Sequence, residues 1–428
     1  MNLGSLFIGK FPANITASPT LNSRKVMSGY AYIAAGKMKL KLGESPVHEI
    51  DSKFGNSLRQ RVQDIQNRNA WKREGTGAQF MLRGAALWGA NAAEPESMRM
   101  TITGLCCGCA PDELFYTLET PEVGGVFSLR DSARQEQRLL HTSDYRLSQI
   151  HALPGKDRLT CVIRHKAGNS SIAVMRSDCS ELAEATQGDS IDLAPRWVPS
   201  REGTEGPGKP DVEGKIVFQS AGIARNAQGV AAGRSPFSIQ MLTLQGGEVS
   251  SLVEDPEHDL LAPQMDAEGA LYYIRKPYEK PVARVNWLRA ALDFLLFPFR
   301  LLNALFHYLN FFSARYSGKT LMSSGAAKQQ EMDLRRMMIY GNMVDAAEAL
   351  KGQSGETAPD LVPKSWELVR QAPDGSRTTL AKSVLSFDVC GDGSILYSNG
   401  SAVFRLEPNG QSKQLQKDAF IEQVIAIP

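Results

Sequence analysis

The chain lacks a charge excess of either sign: 48 Lys and Arg stand against 46 Asp and Glu over 428 residues, a net of +2. A protein built chiefly to hold nucleic acid carries a basic surplus, so no nucleic-acid partner is expected. Cysteine and histidine are both scarce, with six of each. The cysteines are Cys106, Cys107, Cys109, Cys161, Cys179 and Cys390. The first three sit in one strand-like run, where successive side chains point to opposite faces and cannot pair without distortion. The set therefore reads as free thiols of a reducing compartment. Zinc sites draw on separated Cys or His pairs, and no second pair accompanies Cys106-Cys107-Gly108-Cys109, so neither a metal nor another cofactor is expected.

Other signatures are missing too. SARYSGKT (313–320) ends like a phosphate-binding loop, but Ser313 stands where the first glycine belongs and an apolar helical stretch precedes it. GQSGE (352–356) lacks the final glycine of a nucleophile elbow. The opening MNLGSLFIGKFPANITASPTLNSRK has no basic start followed by a long apolar core and a cleavage site, which makes a cytoplasmic location the expectation. Of the histidines only His151 falls at an inner-strand position, and Asp192 and Asp388 lie near such strands without an evident catalytic partner.

What the chain does have is a repeat. An apolar stretch, a turn rich in Pro, Gly, Asp or Glu, and a second apolar strand ending near an aromatic recur along it. The copies are LCCGCAPDELFYTLE (105–119), IHALPGKDRLTCVIRH (150–165), LAPRWVPSREG (193–203) resuming at KIVFQSAG (215–222), LLAPQMDAEGALYYIRK (260–276) and VLSFDVCGDGSILYSNG (384–400). Each is followed by a further pair of amphipathic strands, and the uninterrupted spacing is about 40 residues, the period of a propeller blade. Five blades are complete, at 99–141, 144–187, 190–254, 257–382 and 383–417. The leftovers complement each other: 26–50 holds hairpins without an inner strand, and 419–427 is a lone strand. Pairing them makes a sixth blade shared by the two ends and leaves no exposed sheet edge.

The turns APDE (110–113) and CGDG (390–393), with the variant Trp197-Val198-Pro199-Ser200, resemble the PD40 repeats of TolB-like six-bladed β-propellers. The resemblance covers most of 99–428 outside the insertions. It implies an all-β six-bladed ring, here without the TolB secretion signal or N-terminal α/β domain. The expected organisation is an extension at 1–25 and a propeller over 26–428. It is interrupted by a helical insertion at 55–72, a Gly/Pro-rich loop at 200–214 and a long helical insertion at 281–362.

The third insertion carries the strongest functional signal. Between Val285 and Phe312 the polar residues Asn286, Arg289, Asp293, Arg300, Asn303, His307 and Asn310 fall at helical spacing, within a wedge of roughly 120°. The rest of the surface is apolar: Trp287, Leu288, Leu292, Phe294, Leu295, Phe297, Phe299, Leu302, Leu305, Phe306, Leu309 and Phe312. Pro298 should kink or divide the helix. Arg284, Arg315 and Lys319 supply a basic flank. A wide apolar face with interfacial aromatics and basic flanks is the pattern of a helix lying in a membrane interface. Asp293 and Arg300 argue against a span. Two other readings stay open: a groove on a partner protein, and packing against the propeller or a second helix at about 322–351. The leading expectation is a non-catalytic interaction scaffold with an unknown protein partner, attached peripherally to a membrane surface. The rivals are a propeller hydrolase or lyase with an axial site, and a soluble subunit of a larger complex that docks through the apolar helix.

Overall fold

The computed structural model describes residues 27–68, 100–110, 112–120, 123–130, 135–153, 155–199, 214–279, 336–339, 342–345 and 360–428. Most of its strands are short, antiparallel and joined by tight turns; Ser170 and Ile191 form a parallel bridge. The chain begins with β1 (Gly29–Ala34), β2 (Lys37–Leu42) and β3 (His48–Ile50). Ala35 and Gly36 link the first two, both at positive φ (50° and 74°), the backbone that a two-residue hairpin following strand twist requires. A helix, α1 (Lys53–Arg68), follows; it begins two residues before the 55–72 stretch read as helix-compatible, whose residues 69–72 lie outside the described residues. Ser52 Oγ accepts the Gly55 N–H at 3.0 Å as its N-cap.

Five further four-stranded meanders come next. They are β4 (Thr101–Cys107), β5 (Glu113–Glu119), β6 (Gly124–Arg130) and β7 (Gln135–Thr142); then β8 (Arg146–Ala152), β9 (Leu159–Arg164), β10 (Ser170–Met175) and β11 (Ala183–Glu184). The next begins with β12 (Ser190–Trp197) and β13 (Lys215–Arg225), whose far end folds back on β14 (Ala231–Arg234), and finishes with β15 (Ser238–Thr243) and β16 (Glu248–Val253). A fifth unit starts with β17 (His258–Met265) and β18 (Leu271–Pro277), after which the chain departs at residue 279. It returns at residue 360 to supply β21 (Glu367–Gln371) and β22 (Arg377–Lys382). The last comprises β23 (Ser386–Val389), β24 (Ile395–Ser398), β25 (Ala402–Leu406) and β26 (Ser412–Lys417). The final strand, β27 (Ile421–Ile427), joins the first sheet in the order β27-β1-β2-β3, with Ala31 opposite Ile425.

Burial shows how these units meet. Middle strands such as β6 and β10 are buried on nearly every residue, so both faces of their sheets are covered. Outer strands β7, β22 and β26 are largely polar and exposed, which protects the rim from edge-to-edge pairing. Apolar clusters fill the spaces between consecutive units, including that between the last unit and the first, where Leu396 and Val403 meet Tyr32 and Val424. The first strand of each unit neighbours the next in the cyclic order β27, β4, β8, β12, β17, β23, and β23 returns to β27. The approach is closest at Gly104, where a Cβ would lie 2.6 Å from the backbone nitrogen of Gln149. No side chain fits there.

One expectation is corrected. Residues 322–351, read as a second helix, contain a β-hairpin: β19 (Arg336–Ile339) pairs with β20 (Asn342–Asp345), Ile339 opposite Asn342. Short apolar runs such as RMMI and NMVD fit helix and strand periods alike, and a two-residue connection between β-branched-containing segments favours the hairpin. The rest of the 281–362 insertion, apart from residues 360–362, lies outside the described residues, as does most of the 200–214 loop.

β27 completes the first sheet and carries Ile425 into its core. Ile425→Ala, at a 1% exposed position, should lower stability by about 3 kcal/mol in a urea melt. Val249→Ala, on a 45% exposed site of β16, should stay within about 0.5 kcal/mol of the parent. Equal effects at the two sites would contradict the role given to β27.

Candidate functional site

The inner strands are not regular. The β-ladders of β4, β8, β12 and β17 with their neighbours are interrupted between Ile102 and Gly104, Ser148 and His151, Leu193 and Arg196, and Leu261 and Gln264. Gln149, Ala194 and Ala262 adopt left-handed φ values of 52°, 53° and 51° at these irregularities. Such bulges re-aim the side chains that follow them. Here they turn polar groups toward the next unit.

The result is a circuit of side-chain-to-backbone hydrogen bonds. Thr103 Oγ1 on β4 donates to Leu147 O of β8 at 3.2 Å. Gln149 Oε1 on β8 accepts from Ala194 N of β12 at 2.7 Å. Gln219 Oε1, on β13 beside β12, accepts from Ala262 N of β17 at 2.7 Å. Gln264 holds β23 twice, accepting from Val389 N at 3.0 Å and donating through Nε2 to Phe387 O at 2.9 Å. Asp388 Oδ2 accepts from Ala426 N of β27 at 2.8 Å. Gln423 of β27 then holds Leu105 of β4 twice, at 3.1 Å and 2.8 Å, and the circuit is complete.

Two cavities open on the axis. The larger, of about 2140 Å³, lies at the end where the inner strands finish. The smaller, of about 570 Å³, lies at the end where they begin. Arg196 and Gln264 line both and so mark the waist between them. Around the waist burial has removed most charge. Desolvation pushes the Cys107 thiol up to about 12 and that of Cys390 to about 11, and raises that of Cys106 further still, so these sulfurs are thiols at neutral pH.

 The Asp388 carboxyl is likewise held above its ordinary range by burial, against the pull of Arg196 and the Ala426 N–H. His151 is driven well below its usual value by burial and by the Arg196 charge, so its ring is neutral. Its Nδ1 accepts from Trp197 N at 3.1 Å, which assigns the proton to Nε2. Among the described residues no three His, Cys, Asp or Glu side chains converge where a metal ion would sit.

Of the residues singled out from sequence, His151, Cys106, Cys107 and Asp388 all reach this channel. Asp192 does not serve it: 3% exposed, it accepts from Ser220 Oγ at 2.7 Å. The apolar set from Trp287 to Phe312 and the flank Arg284, Arg315 and Lys319 lie outside the described residues. Arg196 and the glutamines 149, 264 and 423 were not anticipated. A signal existed in the paired tetrads Leu193-Ala194-Pro195-Arg196 and Leu261-Ala262-Pro263-Gln264, which place Arg196 and Gln264 at equivalent positions after equivalent bulges.

No protein-family model and no curated protein sequence matches the chain. Among solved structures it is similar to one described as a nidogen/laminin complex, at 8% identity and a TM-score of 0.46, covering 92% of this chain and 97% of that one. It is similar to TolB from Acinetobacter baumannii at 9% identity and a TM-score of 0.46, covering 92% of this chain and 65% of that one. A putative TolB from Agrobacterium tumefaciens matches at 10% identity and a TM-score of 0.38, covering 75% and 84%. TolB proteins, whose repeats the turns at 110–113 and 390–393 resemble, are thus among its structural neighbours.

Glu422, in the smaller cavity, accepts from Gly36 N at 2.7 Å, and burial pushes its carboxyl up to about 8. The folded chain therefore keeps a proton that the unfolded chain has released, and stability should fall as pH rises from about 4.5 through about 8. Glu422→Gln should flatten that decline in urea melts across this range. An equal slope in both proteins would show that Glu422 does not titrate there.

Proposed function

We propose that the six meanders form one six-bladed β-propeller, closed by β27, that works by binding as a non-catalytic interaction scaffold. The observation that carries this reading is the axial circuit. The glutamines and Asp388 that face the axis are engaged in joining each inner strand to the next, so the axis is a rigid frame around an open cavity. A fixed ring with a wide mouth suits docking of a protein partner, since little ordering is needed on its side of the interface.

The second part of the proposal concerns attachment. The 285–312 segment is taken as an amphipathic helix in the interface of a membrane, on its cytoplasmic face, with Trp287, Phe297, Phe306 and their apolar neighbours inserted and Arg284, Arg315 and Lys319 near the headgroups. Among the described residues no helix is long and apolar enough to cross a membrane. The topology of the described residues supports this arrangement. The chain leaves β18 beside His258, at the start of inner strand β17, whereas the larger cavity borders Met265 at that strand's end. An anchor leaving from the first end keeps the larger cavity directed away from the bilayer.

Co-sedimentation with phosphatidylglycerol-containing vesicles tests the attachment. The full chain should pellet with them, and Phe297→Asp combined with Phe306→Asp should leave it in the supernatant with an unchanged circular-dichroism melt. A full chain that stays in the supernatant would refute membrane attachment.

A further inference from the structure

One strong donor at the waist is not used by the ring. Cys106, His151, Gln264 and Asp388 each engage the backbone of the following inner strand, at Ala152, Trp197, Val389 and Ala426. Arg196 occupies the position equivalent to Gln264 but has no acceptor atom, so it cannot take a backbone N–H as its neighbours do. Its side chain is only 15% exposed, yet among the described residues its one polar side-chain contact is Nη1 at 3.5 Å from Asp388 Oδ1, at the outer limit of a hydrogen bond. The planar fork of donors is left open on the channel, where it borders both cavities. A sequestered guanidinium is best completed by a planar, two-oxygen acceptor. His151, neutral and with its Nε2–H unpartnered among the described residues, adds a second donor from the preceding inner strand.

We propose that the waist of the channel binds a carboxylate borne on the end of a peptide or protein segment that enters through the larger cavity. Arg196 takes the carboxylate in bidentate fashion, and His151 Nε2–H contributes a further hydrogen bond. The cavity leading to the waist favours that source: at about 2140 Å³ it exceeds the about 300–1,000 Å³ of pockets that hold small molecules. Asp388 competes for the same guanidinium and so limits affinity in the unmodified protein. This inference deepens the binding role proposed for the ring and is independent of the membrane segment.

Isothermal titration of the full chain with three probes tests it: acetyl-Ala-Ala-Leu with a free carboxylate, the same peptide as its amide, and succinate. The acid should bind at least about tenfold more tightly than the amide. Arg196→Gln should abolish that difference. Arg196→Lys, which keeps the charge and loses the fork, should fall between, and Asp388→Asn should tighten binding of the acid. Circular-dichroism melts establish that each variant is folded. Equal binding of acid and amide, or a preference for the acid that survives Arg196→Gln, would overturn the carboxylate site and leave the scaffold reading standing. Binding of succinate without the peptide acid would overturn the peptide source, and binding of none of the three would overturn the proposal entirely. Loss of vesicle binding alone would count against the attachment and not against this site.

Discussion

The structure depends on a chain of hydrogen bonds that runs from each inner strand to the next and returns to its starting point. Each four-stranded meander buries its faces only against its neighbours, as the units of a repeat protein do. Apolar clusters between units supply the bulk of the stabilisation, but apolar contact is non-directional and does not set how far one sheet is rotated against another. The axial bonds do. Gln264 and Gln423 each grip a backbone amide and carbonyl of the neighbouring inner strand, fixing spacing and register together. Gly104 permits the same closeness between β4 and β8 by having no side chain to hold them apart.

The same arrangement explains the chemistry of the axis. Groups that face it are buried, and burial disfavours charge, so thiols remain protonated, His151 is neutral and the carboxyls of Asp388 and Glu422 hold their protons more tightly than usual. Nucleophilic catalysis by Cys107 would require the thiolate that this environment suppresses. Arg196 is the exception, a donor-only side chain at a position where Gln264 accepts a backbone N–H of the next inner strand. That placement is what the proposed carboxylate site at the waist rests on.

Much of the architecture was legible in the sequence because it rests on local chemistry. Turns such as Asp392-Gly393 and Asn409-Gly410 combine an Asx side chain, which accepts from the backbone two residues on, with a glycine at positive φ, and they punctuate the strands at regular intervals. The leftover hairpins at 26–50 and the leftover strand at 419–427 lie in one sheet. The axial site was less legible. A bulge is a register event between two strands, so no single segment announces it, and the glutamines it re-aims look like ordinary polar positions. His151 and Asp388 were noticed as residue types, but their partners come from other units, at Trp197 and Ala426. The hairpin at 336–345 was hidden for a different reason: four-residue apolar runs have no period long enough to separate helix from strand.

Native-state hydrogen exchange at the amides of Leu105, Ala194, Ala262, Val389 and Ala426 tests the central claim most directly. Each donates to a side chain of the preceding unit. If the circuit holds the units as one cooperative body, all five should exchange only through global unfolding, with a common opening free energy equal to that from denaturant melts. Opening at separate, lower free energies, unit by unit, would contradict the account.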